Sequence, residues 1–336
     1  MVEKIEKVRD FKISESNLCY LDKARISNRG LFVNNKEIYS GVVDFNVLDD
    51  KILFVTNSPS VFVYIISKDN IELSFNGYSS TTKTLAKGGF YMSKKLNNEW
   101  THFYYSFKDQ TLEYVEVIPE FIGNNIIISK GGNLIYNQTY NWIFKTSNFL
   151  EIIKIIGESE GDIFLLLDDN SILSLEEKAG VKNWKTSFED YKWGDFSANL
   201  SVLMGLKIDQ GRLIHPYFIV TSDGCVEDTG VYDFLSNTFG DSFFIRENAE
   251  YVLMDYKTVI FSITIQTYPE KEESVEALCY LAIVDIENLK FNKILLSKGS
   301  QYKDVKKIDV KGDKIYVLDF GDTLNILEYN SLSIET

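Results

Sequence analysis

The sequence predicts an all-β fold: a β-propeller of four-stranded blades, with seven blades favoured and six or eight as the alternatives. Three observations predict it. A strand, turn, strand unit recurs at nearly constant spacing. The composition favours residues that suit a pleated sheet. Residues that tolerate turn dihedrals sit between the apolar runs. The whole of 1–336 is expected to form one propeller domain, its ring closed by pairing an N-terminal strand, read at RDFKIS, with the last blade.

The unit is plainest in GDIFLLLDDNSILSLEEKAGVKNWKTSF, residues 161–188. A Gly opens it, an apolar strand follows, and DDNS reverses the chain, because Asp, Asn and Ser bond to their own backbone in turns. A second strand, a Gly-containing turn and a Trp complete it. The same form recurs at 49–67, 123–137 and 312–333, and GGFYMSK at 88–94 supplies another first strand. The apolar residues that open four of these strands are Ile52, Phe90, Ile126 and Ile163, spaced 38, 36 and 37 residues apart. Such a period, with several short strands per unit, gives about eight units in 336 residues. Longer insertions in the second half reduce the expectation to seven.

Composition agrees. The chain has 23 Phe, 20 Tyr and only 4 Pro, and Ile and Val are frequent. β-branched and aromatic side chains fit a half-buried pleated surface. A small sheet cannot bury both of its faces alone, so runs such as FLLL and IIIS are expected to become core between stacked neighbours.

A second register is set by Trp100, Trp142 and Trp184, each 42 residues from the next and each preceded closely by Asn. Together with Gly161, the strands at 163–167 and 172–175, the turn Asp168 to Ser171, and Gly180, the Trp184 unit resembles the repeat of the PQQ-dehydrogenase-like (quinoprotein-like) propellers. The resemblance is clear over this one unit and partial over 49–67, 123–148 and 312–333. Ala179 stands where the family has Thr, and Asn170 stands near its usual turn Gly. The resemblance implies a blade geometry in which Trp100, Trp142 and Trp184 dock structurally between adjacent blades. It implies no cofactor, and none is expected.

Net charge is −14. An acidic surface repels phosphate backbones and anionic lipid heads, so neither nucleic acid nor a membrane is an expected partner; a basic protein is the electrostatic complement. The first 17 residues alternate charged and apolar side chains and hold no continuous apolar stretch, unlike a secretory signal. Cys19, Cys225 and Cys279 are odd in number and far apart, which fits free thiols and a cytoplasmic location.

No chemistry-bearing motif is found. His102 and His215 lack metal-ligand spacing to each other or to Cys, so no metal site is expected. The Asp49-Asp50, Asp168-Asp169, Glu189-Asp190 and Glu227-Asp228 pairs sit mostly at predicted turns, not as the opposed carboxylates of a glycosidase. No catalytic residue is assigned.

Two segments break the repeat. EDYKWGDFSANL at 189–200 is expected to be an insertion whose Asp190, Tyr191, Trp193, Asp195 and Phe196 form an aromatic, acid-rimmed patch for a partner. QTYPEKEESVEA at 266–277 is expected to be a solvated acidic loop. The function expected is a non-enzymatic, cytoplasmic interaction propeller, monomeric by itself. Its concrete form is an immunity or inhibitor protein that neutralises a basic partner. The alternative is a small-ligand or glycan-binding or hydrolysing propeller that uses the central channel.

Overall fold

The computed structural model describes residues 2–14, 17–119, 121–122, 126–128, 134–137, 140, 142–146, 150–159, 161–169, 171–187, 191–197, 202–209, 212–220, 225–227, 230–240, 243–244, 251–254, 258–267, 276–299 and 305–329. Among these, the strands form eight antiparallel sheets. Contacts divide the chain into two compact units. One holds 1–6, 154–176 and 182–336; the other holds 7–153 and 177–181.

Strand β1 (Val2–Ile5) belongs to the sheet formed by the C-terminal strands. In the unit that begins at Lys7, the first sheet runs β2 (Val8–Ser14), β3 (Asn17–Asp22), β4 (Leu31–Val33), β5 (Lys36–Tyr39). The second runs β6 (Val42–Leu48), β7 (Lys51–Thr56), β8 (Ser60–Ile65), β9 (Asn70–Asn76). The third has three strands, β10 (Gly89–Leu96), β11 (Glu99–Ser106) and β12 (Thr111–Val115), with isolated bridges from Ser79 to Ser93 and from Ala86 to Gly89 on β10. The fourth runs β13 (Phe121–Ile122), β14 (Ile126–Ile128), β15 (Leu134–Asn137), β16 (Trp142–Lys145).

The other unit carries β17 (Ile152–Ser159), β18 (Asp162–Leu167), β19 (Ser171–Glu176) and β20 (Lys182–Ser187), then β21 (Tyr191–Ser197), β22 (Val202–Asp209), β23 (Arg212–Val220) and β24 (Cys225–Glu227). Helix α1 (Val231–Phe239) follows. The next sheet holds β25 (Phe243–Phe244), β26 (Tyr251–Leu253), β27 (Thr258–Thr267), β28 (Glu276–Asp285) and β29 (Lys290–Gly299). The last holds β30 (Val305–Lys311), β31 (Lys314–Asp319) and β32 (Leu324–Glu328), with β1 as its fourth strand. Val2 faces Leu327 and Ile5 faces Leu324. The RDFKIS segment lies instead in β2 and pairs with β3.

The strand register holds at side-chain level. Ile52, Phe90, Ile126 and Ile163 are all fully buried. In β7, Ile52 and Phe54 join a cluster with Cys19, Leu21, Leu31 and Val33 of the first sheet, while Leu53 joins Phe90, Met92 and Tyr105 of the third. Successive side chains of a strand point to opposite faces, so one apolar run fills two interfaces. In the other unit, Ile260, Leu281 and Ile283 pack on Val305, Ile315, Val317 and Leu327, while Val259, Phe261 and Ile263 pack on Val231 and Leu235 of α1.

Three expectations need correction. The described residues hold eight sheets, not the favoured seven, because 189–200 is not an insertion: residues 191–197 are the first strand of a regular sheet. The 42-residue Trp spacing does not mark equivalent positions. Trp142 and Trp184 lie in the fourth strands of their sheets, whereas Trp100 lies in the second strand of its sheet and is 56% exposed. A fixed residue count lands on different strands when turn lengths vary. Helix α1, bounded by Gly230 and Gly240 at positive φ, was not anticipated in an all-β chain.

Candidate functional site

The sheet β10–β12 presents the most exposed Trp for which burial is described, and its geometry starts at the turns. Asn97 and Asn98, at φ 48° and 71°, join β10 to β11. Two residues at positive φ form the tight turn whose twist matches the flanking strands. The register that follows sets Tyr91 opposite Tyr104, Ser93 opposite His102 and Lys95 opposite Trp100. Cross-strand partners share a face, so these six form one strip.

Burial falls along the strip. Tyr91 is buried, and its ring lies 4.8 Å from that of Tyr104. Burial, then the nearby Tyr104, pushes the Tyr91 phenol up to about 12. Gly89 permits this close fit, since a Cβ there would lie 2.8 Å from the Tyr104 hydroxyl and 1.9 Å from the Tyr105 carbonyl. Ser93 Oγ and His102 Nδ1 share a hydrogen bond of 2.9 Å. The strip ends at Trp100, with Lys95 across from it and Glu99 beside it, all exposed. On the opposite face, Phe90, Met92 and Tyr105 are buried against the second sheet, while Tyr114, opposite Phe103, is 68% exposed. Glu113 and Glu116 add exposed acids near this edge.

Trp142 behaves as a docked Trp. Its Nε1 donates to the Glu177 carbonyl at 2.7 Å, and Asn137 Nδ2 donates to the same oxygen at 3.3 Å. Gly180, at φ 64°, lies so close that a Cβ would sit 2.5 Å from the indole. The Gly of one repeat unit therefore holds the Trp of the unit before it. Trp184 lies in β20 with its backbone paired to Ser174.

Of the residues assigned to the partner patch, Tyr191, Trp193, Asp195 and Phe196 are placed by backbone in β21. Tyr191 pairs with Lys207, Trp193 with Gly205 and Phe196 with Leu203, with a bulge between Trp193 and Phe196. Asp190 lies outside the described residues. So do residues 268–275 of the acidic loop; its flanks are regular strand, with Gln266 paired to Ala277 and Thr267 to Glu276.

The acids placed at turns are used by those turns. Asp50 Oδ1 accepts the Ser67 N–H at 2.8 Å. Asp169 accepts the Ser171 N–H at 3.0 Å and an ion pair from Lys185 at 2.7 Å. A shallow, solvent-open pocket is lined by Thr258, Ile283, Asp285, Phe291 and Tyr329 among others. The Asp285 carboxylate there is taken up by the N–H groups of Glu287 and Asn288, each at 3.0 Å. Among the described residues, no three His, Cys, Asp or Glu are grouped as metal ligands would be. No described helix is long and apolar enough to cross a membrane.

No family model matches the chain, and no curated protein matches it. Solved structures do. The WD40 domain of SCAP from fission yeast aligns over 98% of each chain at 8% identity, with a TM-score of 0.54. The computationally designed Ika8 protein aligns over 96% of each chain at 10% identity, with a TM-score of 0.51. At such identities the likeness concerns the backbone. Repeated four-stranded meanders, apolar runs shared between neighbouring sheets and these two alignments together make the fold of this chain an all-β propeller.

Proposed function

We propose that the protein is a non-enzymatic binding propeller whose partner is a basic protein, docked at the outer end of the β10–β12 strip. One observation carries this: Trp100 is 56% exposed at the end of a row whose inner aromatics are packed. Trp has a large apolar area and one N–H donor, which suits the centre of an interface. Exposed Glu113, across from Tyr104 on the same face, adds negative charge to the strip. The net charge of −14 favours a positively charged partner. An immunity or inhibitor role in the cytoplasm, as a monomer when alone, is the concrete form of this proposal. We also propose that the repeat is of the quinoprotein-like kind, supported by the Gly180 and Trp142 contact.

The test is retention from a lysate on the tagged protein across a salt series, with wild type and Trp100→Ser in parallel. The expected outcome is a basic protein retained at low salt, released as salt rises, and lost or weakened at least about tenfold with Trp100→Ser. If nothing is retained at low salt, or retention ignores Trp100, the proposal fails.

A further inference from the structure

We infer that the partner receives the β10–β11 turn in a cleft, with an acidic side chain on the wall that meets Trp100 and a basic one on the wall that meets Leu96. The inference rests on the reading that Trp100 belongs to the partner site, and it adds the shape and charge of the surface that accepts it.

The hairpin runs past the strands beside it. The pairing of β12 with β11 ends at Val115 opposite His102. On the other side, the bridges to β10 reach no farther than Ser93, which faces Ser79. Among the described residues, positions 94–96 and 99–101 pair only with one another. Every residue from Lys95 to Trp100 is exposed. The two-residue turn at Asn97 and Asn98 fixes the twist of this tip. A tip that is already ordered gives up little freedom when it is enclosed.

The tip has two different faces. Lys95 is opposite Trp100, and Leu96 is opposite Glu99. Successive residues of a strand point to opposite faces, so Lys95 and Trp100 share one face, and Leu96 and Glu99 share the other. Each face carries a large apolar side chain, Trp100 at 56% exposure and Leu96 at 43%. Each also carries one charge, and the signs differ. Among the described residues, neither Lys95 nor Glu99 makes an ion pair or a side-chain hydrogen bond. Lys94, one residue back, is already engaged: its Nζ lies 5.0 Å from the centre of the Tyr78 ring. Solubility alone would place polar side chains at all four positions around an exposed turn.

A flat surface covers one face of a two-stranded hairpin. Burying Trp100 and Leu96 together needs walls on two sides, which is a cleft. The charges then complement their own walls, an acid near Lys95 and a base near Glu99. That pattern also fixes which way round the hairpin enters. The net charge of −14 still favours a partner that is basic as a whole.

The tagged full-length protein, with a lysate of the source cells as the probe, tests this in four single variants. Trp100→Ser and Lys95→Glu alter one face; Leu96→Ser and Glu99→Lys alter the other. All four positions are exposed, so the unfolding temperature should stay that of wild type. Each variant is expected to weaken retention of the same basic protein at least about fivefold at low salt. Lys95→Glu is the sharpest of them. It makes the chain more acidic, so general attraction to a basic partner would tighten binding, and only a local acid weakens it. Hydroxyl-radical footprinting of the complex should protect Trp100 and Leu96 together. If Leu96→Ser and Glu99→Lys leave retention unchanged and only Trp100 is protected, the partner lies flat; the cleft is overturned while the binding reading stands. Tighter retention with Lys95→Glu overturns the acidic wall. If nothing is retained, if retention ignores Trp100, or if only further copies of this chain are retained, both readings fail.

Discussion

Gly180 and Trp142 show how much one contact carries at the scale of single residues. A methyl group at 180 meets the indole at 2.5 Å and sits on a backbone at φ 64°, where a side chain is strained. Gly180→Ala should therefore destabilise the protein by about 1–3 kcal/mol, read by urea titration. Trp142→Phe keeps an aromatic ring of smaller volume and removes the donor to Glu177, and a loss of about 1–3 kcal/mol is expected. Two thiols behave differently from surface cysteines. Burial pushes Cys19 up to about 12, and Cys279 is buried as well. Both should resist a thiol-specific chromogenic reagent in the native protein and react once it is unfolded; rapid native labelling of Cys19 would contradict the packing described. At Asp169, burial opposes the charge, but hydrogen bonds from Lys185 and Ser171 outweigh it and hold the carboxyl below its ordinary value. A lowered carboxyl favours the fold above the unfolded value near about 4, and that contribution disappears as the pH falls through the folded value. The stability gap between wild type and Asp169→Asn should be present at neutral pH, stay under about 1 kcal/mol for a half-exposed pair, and close in acid.

Among elements, β1 matters beyond its four residues. It covers β32, whose Leu324 and Leu327 are buried. Removing residues 2–6 uncovers a full strand edge, which is a template for pairing with another chain. The truncated protein should unfold at lower temperature and self-associate in light scattering, and an unchanged monomer would show that β1 is dispensable. The elements also show what could be read from sequence. Ile52, Phe90, Ile126 and Ile163 were legible because strands stacked between neighbouring sheets bury side chains on both faces, which leaves a continuous apolar run. The segment 189–200, which holds β21, was taken for an insertion because Gly194 and Asp195, at the bulge, interrupt the alternation that identifies a strand. Helix α1 escaped because nine residues between two glycines are too short for a helical period to stand out. Trp100 was assigned to packing from its spacing, and spacing does not tell which strand a residue occupies.

For the whole molecule, charge is the dominant long-range term. A net charge of −14 on one chain opposes compaction through self-repulsion. Salt at physiological strength screens exposed charges beyond about 8 Å. Raising sodium chloride from a few millimolar to about 0.15 M should raise the unfolding temperature, and a fall on adding salt would mean that local ion pairs outweigh the repulsion. The pairing of β1 with β32 has a further consequence, in time instead of space. At about 5–20 residues per second, the ribosome releases β32 roughly 15–65 s after β1. Strand β1 thus waits for a neighbour made about 320 residues later. Glu3 and Lys4, exposed even in the finished sheet, keep that waiting segment wettable. During the delay a β1 from another nascent chain competes for the same edge, so crowded synthesis, more than heat, is the condition under which this protein exchanges strands between copies.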